Sequence, residues 1–313
     1  MRRLRRPAVA PGAGDGRAIE GVRSAPAVRC VGLEVELDYE PVLRGADLEV
    51  APGRVCVLVG ASGCGKTTLI RHVLGLLPPD EGTVLIGDED VWRSDPATLL
   101  EIRRNLSALH GGSTVYEGSI FASVTIRENL LTRLHEKLTN PSVATGGSGG
   151  HINNPYVRLY VERLPVVRAL PELAERAEDW LERFDLLEVA DLLPCEVSAG
   201  QRRRAALASA LAVDAPLYVL DDPDGALDAF HRNAVVEALR ATRARTGATM
   251  LIATHDLSLA HAVADDVAVL SGGRIVFRGA PDVALRSLGG WYRADIGASV
   301  EPDLGPSATR RPG

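Results

Sequence analysis

The sequence predicts an α/β protein whose parallel sheet is interrupted by a helical insert. Three observations predict it. The run "RVCVLVG" at 54–60 is apolar without alternation and leads through a Gly-rich turn into a helical pattern, as a strand buried on both faces would. From residue 216 onward strand and helix patterns alternate, the signature of strands joined by crossover helices. Between these two parts, residues 125–193 read as helical.

In chain order, "VRCVGLEVEL" (28–37) and "ADLEVAPG" (46–53) read as strands, the second ended by a Pro-Gly turn. The buried strand 54–60 follows, then the helix "KTTLIRHVLGLL". "GTVLIGDEDV" (82–91) reads as one more strand and "PATLLEIRRN" (96–105) as a short helix with Pro near its start. Inside the helical insert, "NPSVATGGSGGHINNP" (140–155) has the composition of a flexible loop. "PELAERAEDWLERFDLL" (171–187) has amphipathic helical spacing. Expected strands then fall at 216–220, 249–253, 266–270 and 273–279, and expected helices at 227–245 and 257–263. The basic start (1–27) and the polar end (288–313) are expected to be disordered tails around one folded unit at 28–287, and no internal repeat is visible.

Composition bounds the function. Of 313 residues, 46% are hydrophobic and 24% charged, and the net charge is −6. That balance is globular and acidic, which argues against a nucleic-acid partner. The basic start has no apolar core of a signal peptide, and no run of 18 apolar residues exists to span a membrane. The four cysteines, at 30, 56, 64 and 195, form no C-x-x-C pair and read as reduced thiols of a cytoplasmic protein. Positive charge is almost all Arg: Lys66 and Lys137 are the two lysines.

One of them lies in "GASGCGKTT", residues 60–68, which fits G-x-x-x-x-G-K-[ST] between a buried strand and a helix. Gly60, Ala61, Ser62, Gly63, Cys64 and Gly65 form a loop whose glycines let backbone N–H groups turn inward around phosphates. The helix N-terminus at Lys66, Thr67 and Thr68 adds a favourable dipole. Lys66 is expected on the β and γ phosphates of a nucleotide, and Thr67 on Mg²⁺. Such a loop also needs a carboxylate at the end of a neighbouring strand for the metal. Asp221, closing the apolar stretch "LYVLD", fits; away from a phosphate loop it would read as a strand-ending turn residue.

Further stretches fall in a familiar order. "YEPVLRG" (39–45), "VSAGQRRRAALASAL" (197–211), "VLDDPDGALD" (219–228) and "IATHD" (252–256) resemble, respectively, the adenine-stacking segment, the signature, the Walker B motif with D-loop and the switch-histidine loop of ATP-binding-cassette proteins. The resemblance covers about residues 28–287 and implies a P-loop NTPase fold: a RecA-like parallel-sheet core, an antiparallel β subdomain and a helical subdomain at about 106–205. Within that family, "LLEIRRNLSAL" and "EGSIFASVTIRENL" look most similar to the cassettes of Mce- and Mla-type lipid transporters.

The resemblance implies a mechanism and its parts. Two cassettes, expected to be identical chains, would face each other head to tail with ATP and Mg²⁺ between them. Ser198, Gly200 and Gln201 would meet the γ-phosphate held by the partner, and Asp228 would line the interface. Asp222 would be the catalytic carboxylate and His255 would contact the γ-phosphate and attacking water. Tyr39 either stacks on adenine or packs as an ordinary strand residue. Locally, Ser198 and Gln201 also spell an S-x-x-Q capping box, which is compatible with the signature role.

Three departures from the family pattern stand out. Asp222 replaces the usual Glu, Ala199 replaces a Gly, and His110, a candidate Mg²⁺ ligand, stands near the position of the Q-loop glutamine. All three touch catalysis, whereas Lys66, Thr67 and Asp221 are intact. The expected function is therefore the ATPase subunit of a membrane transporter, slow in hydrolysis, with a lipid or other hydrophobic cargo. It would sit on the cytoplasmic face of the cell membrane against an integral-membrane permease. A regulatory cassette with little turnover and a non-transport ABC ATPase are the alternatives.

Overall fold

The computed structural model describes residues 24–110, 120–139, 171–225 and 227–284. The expected tails and the loop at 140–155 lie outside these residues, apart from 24–27, which carry no regular structure.

A six-stranded sheet has the order β10-β9-β3-β8-β7-β6. It comprises β3 (Val55–Val59), β6 (Leu106–Leu109), β7 (Leu217–Asp221), β8 (Thr249–Ala253), β9 (Asp266–Ser271) and β10 (Arg274–Gly279). Neighbours from β9 to β6 run parallel, and β10 closes the edge antiparallel to β9. The residues of β3, β7 and β8 are buried throughout, which is why their sequences do not alternate. A second sheet, order β2-β1-β4-β5, is antiparallel: β1 (Val28–Leu37), β2 (Glu40–Val50), β4 (Glu81–Ile86) and β5 (Glu89–Asp90).

Helices fill the remaining layers. α1 (Lys66–Val73) buries Leu69, Ile70 and Val73 in a core shared by the two sheets. α2 (Pro96–Arg104) starts at Asp95, whose carboxylate accepts from Ala97 N at 2.8 Å and so satisfies an N-terminal donor. α3 (Ile126–Thr139), α4 (Pro171–Arg183) and α5 (Ala199–Ala212) form the helical part, and α6 (Ala229–Thr246) and α7 (Leu257–Val263) cover the other face of the parallel sheet.

Four boundaries differ from the sequence reading. The expected strand 82–91 is two strands, because Gly87 at φ 64 turns the chain between Ile86 and Glu89. The expected helical subdomain begins too early: Leu106–Leu109 is a buried strand on β7, tied to α5 by the Ser107 hydroxyl donating to Ala210 O at 2.7 Å. β2 begins at Glu40, not 46, because β1 and β2 form a hairpin through Asp38 and Tyr39. The helix expected to 187 stops at Arg183, where Asp185 takes a left-handed φ of 53; a left-handed residue breaks the i→i−4 ladder.

Candidate functional site

Register brings the sequence motifs to one edge. Leu58 pairs with Ala253, Ala253 with Asp221, and Leu220 with Leu109. The segments leaving β3, β8, β7 and β6 therefore carry Gly60–Thr68, His255, Asp222 and His110 out at the same carboxyl end of the sheet, the usual ligand edge of a parallel sheet.

The loop after β3 is shaped for close approach. A Cβ on Gly60 would lie 2.3 Å from Leu270 O and 2.7 Å from Cys64 Sγ, so glycine alone fits there. Gly63 and Gly65 have φ of 80 and 106, the left-handed region that other residues avoid. Lys66 Nζ donates to Gly60 O and Ala61 O, both at 2.8 Å. Its charge is thereby folded back onto the start of the loop. Gly65 supplies no side-chain cap to α1, so the first-turn N–H groups face outward as an anion-binding end. Thr67 is exposed beside them and Thr68 half-buried.

Asp221, 3% exposed, ends β7. Asp222 follows in a left-handed turn, φ 52, with its N–H donating to Ala253 O at 2.7 Å. Asp and Asn tolerate that region better than most residues, which gives Asp222 a local reason to be Asp. Its carboxylate lies against Gly225, where a Cβ would come within 2.1 Å of Oδ2. The other oxygen pairs with His255 Nδ1 at 2.9 Å. The two proposed catalytic groups therefore touch, and the Nδ1 contact leaves His255 Nε2 for a second partner.

Sequence reasoning missed the groups that brace this turn. Asp224 is 4% exposed and accepts from the Thr254 hydroxyl at 2.7 Å, while Thr254 Oγ1 accepts from Asp256 N at 2.9 Å. Burial raises the Asp224 pKa, against the Thr254 bond, which lowers it. Arg203 Nη2 donates to Asp221 O and Asp222 O at 2.5 Å each. Arg203 lies within the signature-like stretch 197–211 as one of three consecutive arginines, and nothing in its spacing separates it from its neighbours.

Ser198, Gly200, Gln201 and Asp228 lie on the surfaces of α5 and α6. Ser198 and Gln201 form the expected capping box: Gln201 N donates to Ser198 Oγ at 3.2 Å and Ser198 N to Gln201 Oε1 at 2.8 Å. A Cβ on Gly200 would meet nothing within 4 Å, so no packing within the chain calls for glycine there. Asp228 caps α6, accepting from His231 N at 2.9 Å and from His231 Nδ1 at 2.8 Å. These bonds lower its pKa. Tyr39, at φ 66 on the tip of the β1–β2 hairpin, is 93% exposed, so it is not packed as a strand residue.

The oxygen groups fit a hard divalent cation. Thr67 and Asp221 offer oxygen ligands at adjacent element ends, and among the described residues no group of three or more His, Cys, Asp or Glu forms a protein cage. Mg²⁺ is usually held in this way, by one or two protein oxygens plus phosphates and water. His110, half-buried at the end of β6, offers nitrogen, which suits this ion less well.

Comparison with known proteins agrees with the geometry. Residues 43–225, more than half of the chain, match the family model described as ABC transporter. The sulfate/thiosulfate import ATP-binding protein CysA of Caulobacter vibrioides is 34% identical over 258 residues, covering 82% of this chain and 65% of that protein. The glycine betaine/carnitine/choline transport ATP-binding protein OpuCA of Bacillus subtilis is 30% identical over 244 residues, covering 77% and 54%. The chain thus spans less than two thirds of the length of these relatives. Among solved structures, the dimeric post-hydrolysis state of the cassette MJ0796 with ADP and Pi aligns at TM-score 0.63 and 23% identity, over 81% of this chain and 98% of that one; this shows the fold. The expected affinity to Mce- and Mla-type lipid cassettes is corrected by these relatives, which are named for sulfate and betaine. Sheet order, phosphate loop and family match agree: the chain belongs to the ABC transporter family and carries its ATPase domain.

Proposed function

We propose that this chain is the ATP-binding subunit of an ABC importer, binding MgATP at 60–68 and hydrolysing it slowly. The observation that carries the reading is the tight turn at Gly60 with Lys66 Nζ held on the Gly60 and Ala61 carbonyls. Lys66 and the α1 N-terminus bind the phosphates, and Thr67 and Asp221 hold Mg²⁺, which supplies positive charge against them. Tyr39, exposed on its hairpin, covers the base.

Asp222 and His255 orient the attacking water and the γ-phosphate. Asp222 is one methylene shorter than Glu and its carboxylate is drawn towards Gly225 and His255, so its reach to a water is reduced. The same geometry favours the second reading, a regulatory cassette that binds and dimerises with little turnover. Ser198, Gly200 and Gln201 act on the nucleotide of a second, identical chain. The space over Gly200 supports this, because nothing inside the chain requires a glycine there.

The partner is an integral-membrane permease at the cytoplasmic face, docked near 106–121, most of which lies outside the described residues. Among the described residues no helix is long and apolar enough to cross a membrane. The relatives named for sulfate and betaine lend the lipid cargo no support, and we assign a small polar solute as the cargo class. Isothermal calorimetry and light scattering test the reading. Lys66→Ala should lose MgATP affinity and ATP-dependent dimerisation; equal affinity in variant and parent overturns it.

A further inference from the structure

We infer that Arg203 is a positioning residue for Asp222, and that through it the signature helix of each chain controls the catalytic turn of that same chain; this rests on the ATPase reading above. The geometry begins at the strand end. Asp221 is the last residue of β7 and Asp222 the left-handed one after it. A strand that ends in this way turns its carbonyls off the sheet ladder, and each needs a donor. Asp222 O accepts from Gly225 N at 3.0 Å. Arg203 Nη2 reaches both carbonyls at 2.5 Å. One planar guanidinium thus sets the orientation of the two peptide units that carry the carboxylates.

Charge acts in the same place. Asp221, Asp222 and Asp224 stand within four residues, and all three act on the Arg203 charge. Burial opposes the Arg203 charge and the three carboxylates support it. The opposing groups on the other side are His255, on Asp222, and Asp256, which faces Asp224.

The next residue makes a parallel link. Arg204 is buried, with Nη1 against His231 Nε2 and Nη2 donating to Asp185 O at 3.3 Å. The His231 ring reaches Asp228 through Nδ1 at 2.8 Å. Two adjacent arginines of α5 therefore hold both ends of the 221–231 segment. Ser198, which caps α5, is five residues from Arg203, about 7 Å along a rigid helix. In a head-to-tail pair the nucleotide met by Ser198 is held by the other chain's phosphate loop. A shift of α5 on meeting that nucleotide is passed through Arg203 to Asp222, which serves the first chain's own nucleotide. Arg203 joins the two sites.

Four variants of the full chain test this: Arg203→Met, Arg203→Lys, Ser198→Ala, and the Ser198→Ala/Arg203→Met double. Phosphate release at saturating MgATP, equilibrium MgATP binding and thermal melting are measured on each. Arg203→Met should lower kcat by roughly ten- to a hundredfold, the scale of an ångström-sized misplacement, with MgATP affinity within about twofold of the parent. Arg203→Lys retains a charged donor to the carbonyls and should recover most of kcat. The double variant should be no more than about twofold slower than the slower single, since residues acting through one link are not additive. Multiplicative losses in the double, or affinity falling in step with kcat in Arg203→Met, or no recovery in Arg203→Lys, would overturn the inference alone. If Arg203→Met fails to fold, Arg203→Gln, an uncharged donor, replaces it in the cycle. A parent that binds no MgATP or releases no phosphate overturns the ATPase reading and this inference with it.

Discussion

Replacing Asp222 by Asn separates a structural from a catalytic role, because the two effects differ in size. The backbone at 222 is left-handed, φ 52, and Asn adopts that region as readily as Asp. The pair lost is Asp222 Oδ1 with His255 Nδ1 at 2.9 Å, between side chains 39% and 60% exposed. Water screens a pair so open, which leaves it worth under about 1 kcal/mol. For a domain of this size the melting temperature should move by no more than about 4 °C. Activity should respond far more. A carboxylate that positions water or takes its proton contributes about 10²–10⁴-fold, or about 2.7–5.4 kcal/mol of barrier at 1.36 kcal/mol per decade. Asp222→Asn should therefore lose kcat at least a hundredfold with MgATP affinity intact. Asp222→Glu should move the other way. A Glu carboxylate extends about 1.5 Å further and should raise turnover by about tenfold. The strain is about 1 kcal/mol for a residue less at ease at positive φ. Steady-state phosphate release alongside differential scanning fluorimetry reads both. An Asn variant that hydrolyses ATP at the parent rate refutes the catalytic role of Asp222. A melting point down by about 10 °C would refute the claim that the pair is weak.

Three further outcomes follow from single residues. Gly200→Ala meets nothing within 4 Å and should raise stability by up to about 1 kcal/mol, yet weaken ATP-dependent dimerisation; chemical denaturation and light scattering read the two. His231→Leu leaves buried Arg204 Nη1 without its ring partner, at a cost of about 1–3 kcal/mol, and should lower the melting point by roughly 5 °C. Asp224 has a pKa raised by burial, so the folded state holds its proton more tightly than the unfolded chain does. Stability from this group is present below the unfolded value near 4 and is lost as pH rises through the raised folded value. Asp224→Asn should therefore stabilise the protein at pH 7 and give no gain near pH 3, as urea titrations at the two pH values would show.

What was legible in the sequence followed from local physics. The strand residues 55–59 read correctly because burial on both faces removes alternation, and the glycine turn between β3 and α1 was legible because its glycines answer a backbone need. What failed was set by distant residues. "LSAL" at 106–109 carries no strand pattern of its own and becomes β6 because β7 offers a free edge and Ala210 accepts from Ser107. Arg203 is one of three consecutive arginines, and only the left-handed end of β7 distinguishes it. The Asp at 222 looked like a simple shortening of Glu. In the fold it is also a residue suited to positive φ, over a glycine at 225 that gives its carboxylate room.

These features divide the site into two kinds of surface. Around Asp222 the polar groups are satisfied within the chain: Asp222 by Ala253, His255 and Gly225, Asp224 by Thr254, Thr254 by Asp256, and the Asp221 and Asp222 carbonyls by Arg203. A turn so connected moves as one unit with the α5 arginine that holds it. The faces proposed to meet a nucleotide are built the opposite way. The first turn of α1 has no side-chain cap, Thr67 is exposed, and Gly200 is open on its outer side. Under the proposed function, donors left for a ligand on one chain, and a glycine for which nothing inside the chain calls, would make each half-site incomplete alone. Binding and assembly therefore draw on the same groups, so variants of Lys66 and Gly200 should fail together in dimerisation, whereas variants of Asp222 should dimerise normally and fail only in turnover.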